Sequence, residues 1–250
     1  MIGKKGIVSV TFRGLTSQEI IQIAKTNGLS AVEWGGDIHV PPSDLENADN
    51  VRKATRESGL ECVSYGSYYR LCWGGNSVSM EQEVACAKML GAENLRIWAG
   101  PCGSEECSSE LFSACIQEAS QLAELCQQQG ITLSFEYHQG TLTDTADSAL
   151  ALMKSLAHPN ARLYWQPNQF YKRDWNLSAL EKVLPYVSNV HVFSWNRQER
   201  LPLSERLSDW KDYLSLLQQD AQTHHLLLEF VKNDTISQFE ADCKIFLQEF

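Results

Sequence analysis

The chain alternates between amphipathic stretches and short apolar runs, and glycine marks four of the changes. These glycines are Gly28, Gly59, Gly91 and Gly130. Glycine is favoured just past a helix C-terminus because it adopts the left-handed backbone conformation at little steric cost. Each unit therefore predicts a helix, a glycine stop and a strand. The spacing of Thr16 and Glu19 is that of a capping box, which predicts the start of the first helix.

The same rhythm continues to the end of the chain without the glycines. Apolar runs at 162–166, 189–193 and 225–230 are separated by predicted helices at about 174–187 and 208–222, and a last helix is predicted at about 235–249. With 6–12 as the first strand, eight strands alternate with eight helices. Near-continuous apolar strands that alternate with helices form parallel sheets. The sequence therefore predicts an α/β fold, a single (β/α)8 TIM barrel domain over residues 1–250.

The alternative is a doubly wound open sheet, which would normally carry a glycine-rich phosphate loop after its first strand. The loop at 11–16 reads Thr-Phe-Arg-Gly-Leu-Thr and lacks that pattern. The barrel is therefore the favoured fold.

Charge and cysteine usage exclude several classes of function. The 21 basic and 31 acidic residues give a net charge of -10, which disfavours binding to a phosphate backbone. No run approaches the ~18 apolar residues that a membrane span needs. The eight cysteines form no CxxC motif and suit a reducing compartment. We therefore expect a cytoplasmic protein that binds neither nucleic acid nor membranes.

Four consecutive predicted strands each end near a side chain that can bind a metal ion. Glu136 ends the fifth strand, Gln166 ends the sixth, His191 lies in the seventh and Glu229 ends the eighth. In a barrel the C-terminal strand ends meet at one mouth. Any one of these residues alone would more often be structural, but their equivalent positions favour a shared site. Two carboxylates, an imidazole and an amide oxygen suit Mn²⁺, Mg²⁺ or Co²⁺ best, and they also accept Zn²⁺.

The segment 136–145, Glu-Tyr-His-Gln-Gly-Thr-Leu-Thr-Asp-Thr, resembles the strand-five signature of the xylose isomerase-like barrel superfamily. That group includes sugar isomerases and epimerases, inosose dehydratases and an endonuclease branch. The resemblance implies a xylose isomerase-like TIM barrel in which Glu136, Gln166, His191 and Glu229 hold one divalent ion. It also implies that Arg197, six residues past the ligand histidine, contacts the substrate.

The chain departs from the family pattern at several positions. Gln166 replaces the usual strand-six aspartate, and Gln169 stands where a histidine is typical. Leu142 replaces an acidic substrate contact of the ketose 3-epimerases, which argues against that particular activity. Tyr65 and Trp98 stand near strand ends where the endonuclease branch has zinc ligands, so DNA repair is disfavoured.

The resemblance implies an isomerase or epimerase that acts on a sugar, or on a sugar-like polyol or keto acid. Glu136 and Glu229 would flank the metal ion and exchange the proton beside a carbonyl, through a metal-stabilised enediolate. Two alternatives stay open: an inosose-dehydratase-like lyase, and a barrel that binds sugar without catalysis. The resemblance is also compatible with a homodimer.

Further contacts to the carbohydrate substrate are expected from aromatic and polar residues near the strand ends. Aromatic faces can stack on the C–H face of a sugar, whereas a strand tryptophan can equally face the surrounding helices. Arg70 follows two tyrosines and could add a cationic contact. The expected substrate-binding residues are Arg197, His138, Gln169, Trp98, Trp34 and Tyr68.

Overall fold

The computed structural model describes residues 1–250 and contains a closed barrel of eight parallel strands. Each strand pairs with the next along the chain, and β1 closes the barrel against β8. This confirms the predicted (β/α)8 barrel. The strands are β1 Ile2–Val8, β2 Ala31–Gly35, β3 Glu61–Arg70, β4 Asn94–Trp98, β5 Thr132–Glu136, β6 Ala161–Trp165, β7 Val187–Val192 and β8 His224–Leu228.

Eight helices surround the barrel, and none of them is long and apolar enough to cross a membrane. Thr16 and Glu19 form the predicted capping box at the start of the first helix. The four glycine stops have φ angles between 72° and 83°, the left-handed region that ends a helix without a Cβ clash. The helices are α1 Ser17–Thr26, α2 Leu45–Glu57, α3 Met80–Leu90, α4 Ser109–Gln128, α5 Ala146–Leu156, α6 Arg173–Val183, α7 Leu207–Leu217 and α8 Ile236–Glu249.

The first strand lies earlier in the chain than predicted. The sequence pattern placed it at 6–12, whereas β1 ends at Val8 and Ser9–Phe12 form a 3-10 turn. Its two apolar residues are buried: Phe12 packs edge-on against Phe239 of α8, with the ring centroids 5.4 Å apart, and Val10 packs in a small cluster with residues of the strands. The hydrophobicity after Val8 thus reflects burial of a turn and not a longer strand.

Two apolar clusters divide the core. The larger one contains 59 buried residues and lies mostly between the barrel and the helices, while six residues form a smaller cluster. Successive residues of a strand face opposite sides of the sheet. In β2 this alternation turns Glu33 inward and Trp34 outward, so a charged side chain is buried inside the barrel. The smaller cluster consists of Val8, Val10, Ala31, Val63, Tyr164 and Leu227.

Candidate active site

The four predicted ligands meet around one nitrogen atom at the C-terminal end of the barrel. The Nδ1 atom of His191 lies 3.6 Å from Oε1 of Glu136 and 3.5 Å from Oε2 of Glu229. It also lies 3.1 Å from Oε1 of Gln166. Ligand atoms of Glu136, His191 and Glu229 all fall within 4.8 Å of one another. These residues come from four neighbouring strands or strand ends, so the barrel alone brings them together.

The second nitrogen of His191 faces a carboxylate that the sequence analysis missed. Its Nε2 atom lies 3.3 Å from Oε1 of Glu33, and both side chains are fully buried. A histidine that binds a metal usually donates its other N–H to such a group, which fixes the ring orientation. Burial opposes the charged imidazole, but the charges of Glu229 and Glu33 outweigh it and raise the pKa of His191. The pocket therefore favours positive charge at this ring.

Arg96, also missed, joins the two inward carboxylates on the other side of the barrel. Its Nε atom donates to Oε1 of Glu33 at 2.9 Å, and its Nη1 atom donates to Oε2 of Glu136 at 2.5 Å. Gly66 leaves room for this ion pair, because a Cβ there would approach Nη2 of Arg96 to 2.5 Å. Burial by itself would raise the pKa of Glu33, but Arg96 and His191 outweigh burial and lower it to about 2.

The two carboxylates of the ligand group have unequal surroundings. Oε2 of Glu136 accepts hydrogen bonds from Arg96 and from the indole N–H of Trp98. Burial alone would raise the pKa of Glu136, but Arg96 holds it well below its usual range. The carboxylate of Glu229 accepts no hydrogen bond, and its one charged neighbour within 4.0 Å is Nδ1 of His191, at 3.5 Å. Burial, reinforced by the charge of Glu136, raises the pKa of Glu229 although His191 opposes the shift.

The backbone next to Glu229 is strained. Phe230 has a φ of 55°, a left-handed conformation that bulky residues rarely adopt. Its N–H donates to Oγ1 of Thr11 at 3.1 Å, and its ring packs against Trp195. Strain of this kind persists where surrounding contacts hold it and tends to occur at functional sites. Here it occurs at the residue that follows the free carboxylate.

The donor set fits a divalent cation. Inside the barrel, three carboxylates face the single guanidinium of Arg96: those of Glu33, Glu136 and Glu229. With the imidazole of His191 neutral, as metal binding requires, two negative charges are uncompensated. Buried charges are costly unless they are paired or bind metals. Oxygen and imidazole ligands without sulfur suit a hard or borderline cation. The buried group of Glu136, His191 and Glu229, with the Gln166 amide oxygen beside it, can therefore hold a metal ion.

Aromatic and polar side chains surround the mouth next to Glu136. The ring of His138 stacks on Trp98 with centroids 5.0 Å apart, and the ring of Tyr68 lies 5.7 Å from Trp98. The hydroxyl of Tyr68 accepts a hydrogen bond from Arg13 at 2.5 Å. His138 Nδ1 lies 2.7 Å from the carbonyl oxygen of Gln139, which requires the proton on Nδ1. Its Nε2 atom has no hydrogen-bond partner within the protein.

The other three predicted substrate contacts form no hydrogen bond with the ligand group around His191. Trp34 has no exposed surface and donates to Thr55 of α2, so its assignment as a substrate wall was wrong. Gln169, in the loop after β6, lines a cavity of about 20 Å³ beside Trp210. Arg197 is exposed in the loop after β7, where its Nε atom donates to the Phe170 carbonyl. A larger cavity, about 1020 Å³, lies outside the barrel along α2 and α3 and contains none of the predicted residues.

The closed parallel barrel carries a buried Glu-His-Glu group at its C-terminal end, so the protein is of the class of barrels that can bind a metal ion there. Residues 21–248 match the family described as xylose isomerase-like TIM barrel. The chain belongs to this family.

Individual relatives are distant but match over the full length. A 3-dehydroshikimate dehydratase of Bacillus anthracis is 22% identical over 97% of this chain and 96% of its own. The crystal structure of a probable 3-DHS dehydratase involved in petrobactin synthesis, from Bacillus anthracis, superposes with a TM-score of 0.80 at 18% identity, over 99% of this chain and 100% of that one. A D-psicose 3-epimerase crystallised in the presence of D-fructose has a TM-score of 0.70 at 13% identity, over 98% and 97%. These structural similarities establish the fold.

Proposed function

We propose that this protein is a metal-dependent dehydratase that removes water from a polyhydroxylated ketone. The observation that carries the proposal is the unequal pair of carboxylates at the barrel mouth. Glu136 is held on one oxygen by Arg96 and Trp98, whereas Glu229 is free of hydrogen bonds. One carboxylate is thus suited to remain ionised, and the other to move a proton.

Glu136, Gln166, His191 and Glu229 would hold the metal ion, with Mg²⁺, Mn²⁺ or Co²⁺ suited to the oxygen-rich set. When bound, a divalent cation supplies Lewis-acid chemistry for a substrate carbonyl. Glu33 supports this arrangement from the side of His191 that faces away from the ligand group. Its Oε1 atom lies 3.3 Å from Nε2 of His191 and limits rotation of the ring.

The proton transfers use Glu229 and His138. Glu229 accepts the proton from the carbon beside the carbonyl, and the electrons of that C–H bond form a carbon–carbon double bond. The bond between the next carbon and its hydroxyl breaks, and protonated His138 gives the proton that lets the hydroxyl leave as water. Nε2 of His138 is available for this step because Nδ1 is bound to the Gln139 carbonyl. A general acid and base of this kind each contribute about 10²-fold or more.

Epimerisation by two opposed bases needs a second carboxylate that gains and loses a proton. Protonating Glu136 would break its ion pair with Arg96 inside the barrel, which is costly. The name of the 22% identical relative, a 3-dehydroshikimate dehydratase, also favours elimination. An isomerase or epimerase is the second candidate, because Glu136 and Glu229 both lie beside Nδ1 of His191 as that chemistry requires.

The test uses chelator-stripped protein reloaded with Mn²⁺ and incubated in D₂O, separately with 3-dehydroshikimate and with D-fructose. We expect loss of water from 3-dehydroshikimate, monitored by the ultraviolet absorbance of the aromatic product, at a rate about 10²-fold or more lower in E229Q. Deuterium exchange into D-fructose without dehydration would favour the second candidate. If neither substrate reacts, the proposal is wrong for these compounds and the barrel that binds sugar without catalysis gains support.

A further inference from the structure

We propose that Arg70 forms a subsite for a carboxylate group of the substrate, at the barrel mouth beside Glu136. This inference rests on the proposed function, because it adds a substrate class to the same site. It depends on where the guanidinium lies, on its lack of a partner and on the pairing of the other arginines near the mouth.

Arg70 is placed next to the ligand group by the sheet itself. It is the last residue of β3 and pairs in register with Trp98 on β4. Its guanidinium carbon lies 3.7 Å from the centre of the Trp98 ring, whose N–H donates to Glu136. The side chain of Asn76 holds the backbone of Arg70 on both sides, at 2.9 Å from its N–H and 2.7 Å from its carbonyl oxygen. The guanidinium is therefore one indole ring away from a candidate metal ligand.

The guanidinium of Arg70 has no anionic partner within the protein. No carboxylate oxygen lies within 4.0 Å of it, and none of its side-chain nitrogens donates a hydrogen bond, although it is partly buried. Burial lowers the pKa of Arg70, and the charge of Glu136 only partly opposes this. A desolvated, unpaired cation gains more from an incoming anion than a hydrated one does.

Two other arginines near the mouth are already neutralised. Arg13 forms an ion pair with Asp37, and Arg200 forms one with Asp234. Arg70 is thus the free cation on the side of the mouth that Trp98 occupies. A guanidinium stacked on an indole presents its N–H groups in one plane, which matches a carboxylate with two parallel hydrogen bonds. On the side of the mouth that Trp98 occupies, one free cation matches one negative charge, and the loop sequences contain no glycine-rich phosphate cradle.

The test measures binding by isothermal titration to the Mn²⁺-loaded protein. The probes are shikimate, its uncharged methyl ester and inorganic phosphate. Hydrogen bonds to charged groups predict that the wild-type protein binds the acid at least about tenfold more tightly than the ester. In R70Q this preference should disappear, because affinity for the acid falls while affinity for the ester is unchanged.

The matched control is R162Q, which removes an unpaired arginine from the opposite end of the barrel and should keep the preference for the acid. Retention of that preference in R70Q would overturn the proposal, as would equal or undetectable binding of acid and ester by the wild type. Tight phosphate binding that depends on Arg70, with no preference for the acid, would overturn the carboxylate assignment. The binding test and the dehydration assay can fail independently. A protein that prefers the acid over the ester but releases no water would support the Arg70 subsite and contradict the proposed function.

Discussion

The β5 side and the β8 side of the site offer the same functional group in different surroundings. On the β5 side, Glu136 is fixed by Arg96 and Trp98, which both reach it from β4. On the β8 side, Glu229 directly precedes the strained residue Phe230, and its carboxylate accepts no hydrogen bond. Identical carboxylates can thus have different roles: a fixed anion that binds a cation, and a carrier that exchanges a proton with substrate. The comparison shows that the hydrogen bonds and charges around a carboxylate determine whether it is suited to stay ionised or to carry a proton.

The largest expected effect comes from releasing Glu136 from its counterion. R96M leaves Glu33 and Glu136 buried without their guanidinium partner, and breaking a buried pair in this way costs about 3–5 kcal/mol. We expect this loss in the free energy of unfolding measured by denaturant titration. R162M, at the opposite end of the barrel, should cost far less. A loss below about 1 kcal/mol in R96M would show that the ion pairs do not fix the β5 side.

The next prediction separates the two carboxylates by activity. With saturating metal, E229Q should reduce kcat by about 10² or more, because the proton carrier is lost. E136Q should lose metal affinity first and recover more of its kcat when metal is raised. Steady-state kinetics over a metal titration measures both effects. If E136Q and E229Q lose kcat equally at saturating metal, both carboxylates transfer protons, as the sequence analysis expected.

A third prediction concerns Glu33, which lies behind His191 and is not one of the candidate ligands. E33Q should weaken metal binding by about 10–100-fold, the usual cost of removing a carboxylate behind a ligand histidine. Calorimetric titration of the stripped protein provides the measurement. An unchanged affinity would mean that the 3.3 Å contact between Glu33 and His191 does not support the ring.

The smallest expected effect comes from adding charge beside the ligand group. Q166D supplies a third anionic oxygen, and a divalent cation gains attraction from a negative ligand in a water-poor site. Metal affinity should rise by about tenfold or less, because the shorter side chain reaches one methylene less far. Q169D, beside the cavity near Trp210, is the matched control and should leave affinity unchanged. An affinity that stays equal or falls in folded Q166D would place residue 166 outside the ligand set.

Much of the fold could be predicted because glycine stops and apolar runs report local structure. The meeting of the four candidate metal ligands was predicted for a related reason, since equivalent strand ends must meet at one mouth. The charged residues that surround the candidate ligands were missed, although the sequence contained a signal for them. Glu33 and Arg96 are charged residues within apolar strands, and such residues must face a polar interior. Trp34 was assigned wrongly because it neighbours Glu33, and adjacent strand residues cannot both face inward.

The unequal surroundings of the two carboxylates could not be predicted from sequence. They depend on which oxygen of Glu136 on β5 accepts from Arg96 on the neighbouring β4, 40 residues earlier in the chain, and on the φ of Phe230. Both follow from tertiary packing and from register between strands. The open guanidinium of Arg70 has the same origin, because its lack of a partner depends on where Asp37 and Asp234 lie.

The central claim is that the barrel holds a divalent cation through Nδ1 of His191 and the surrounding oxygens. The most direct test is calorimetric titration of Mn²⁺ into chelator-stripped wild-type protein, H191Q and H225Q. His225 is a second strand histidine, beside Glu93 at the opposite end of the barrel, and serves as the control. The account predicts about one equivalent of Mn²⁺ bound by the wild type and by H225Q, with a large loss of affinity in H191Q. Binding in H191Q equal to that of the wild type, or no binding in the wild type, would contradict it.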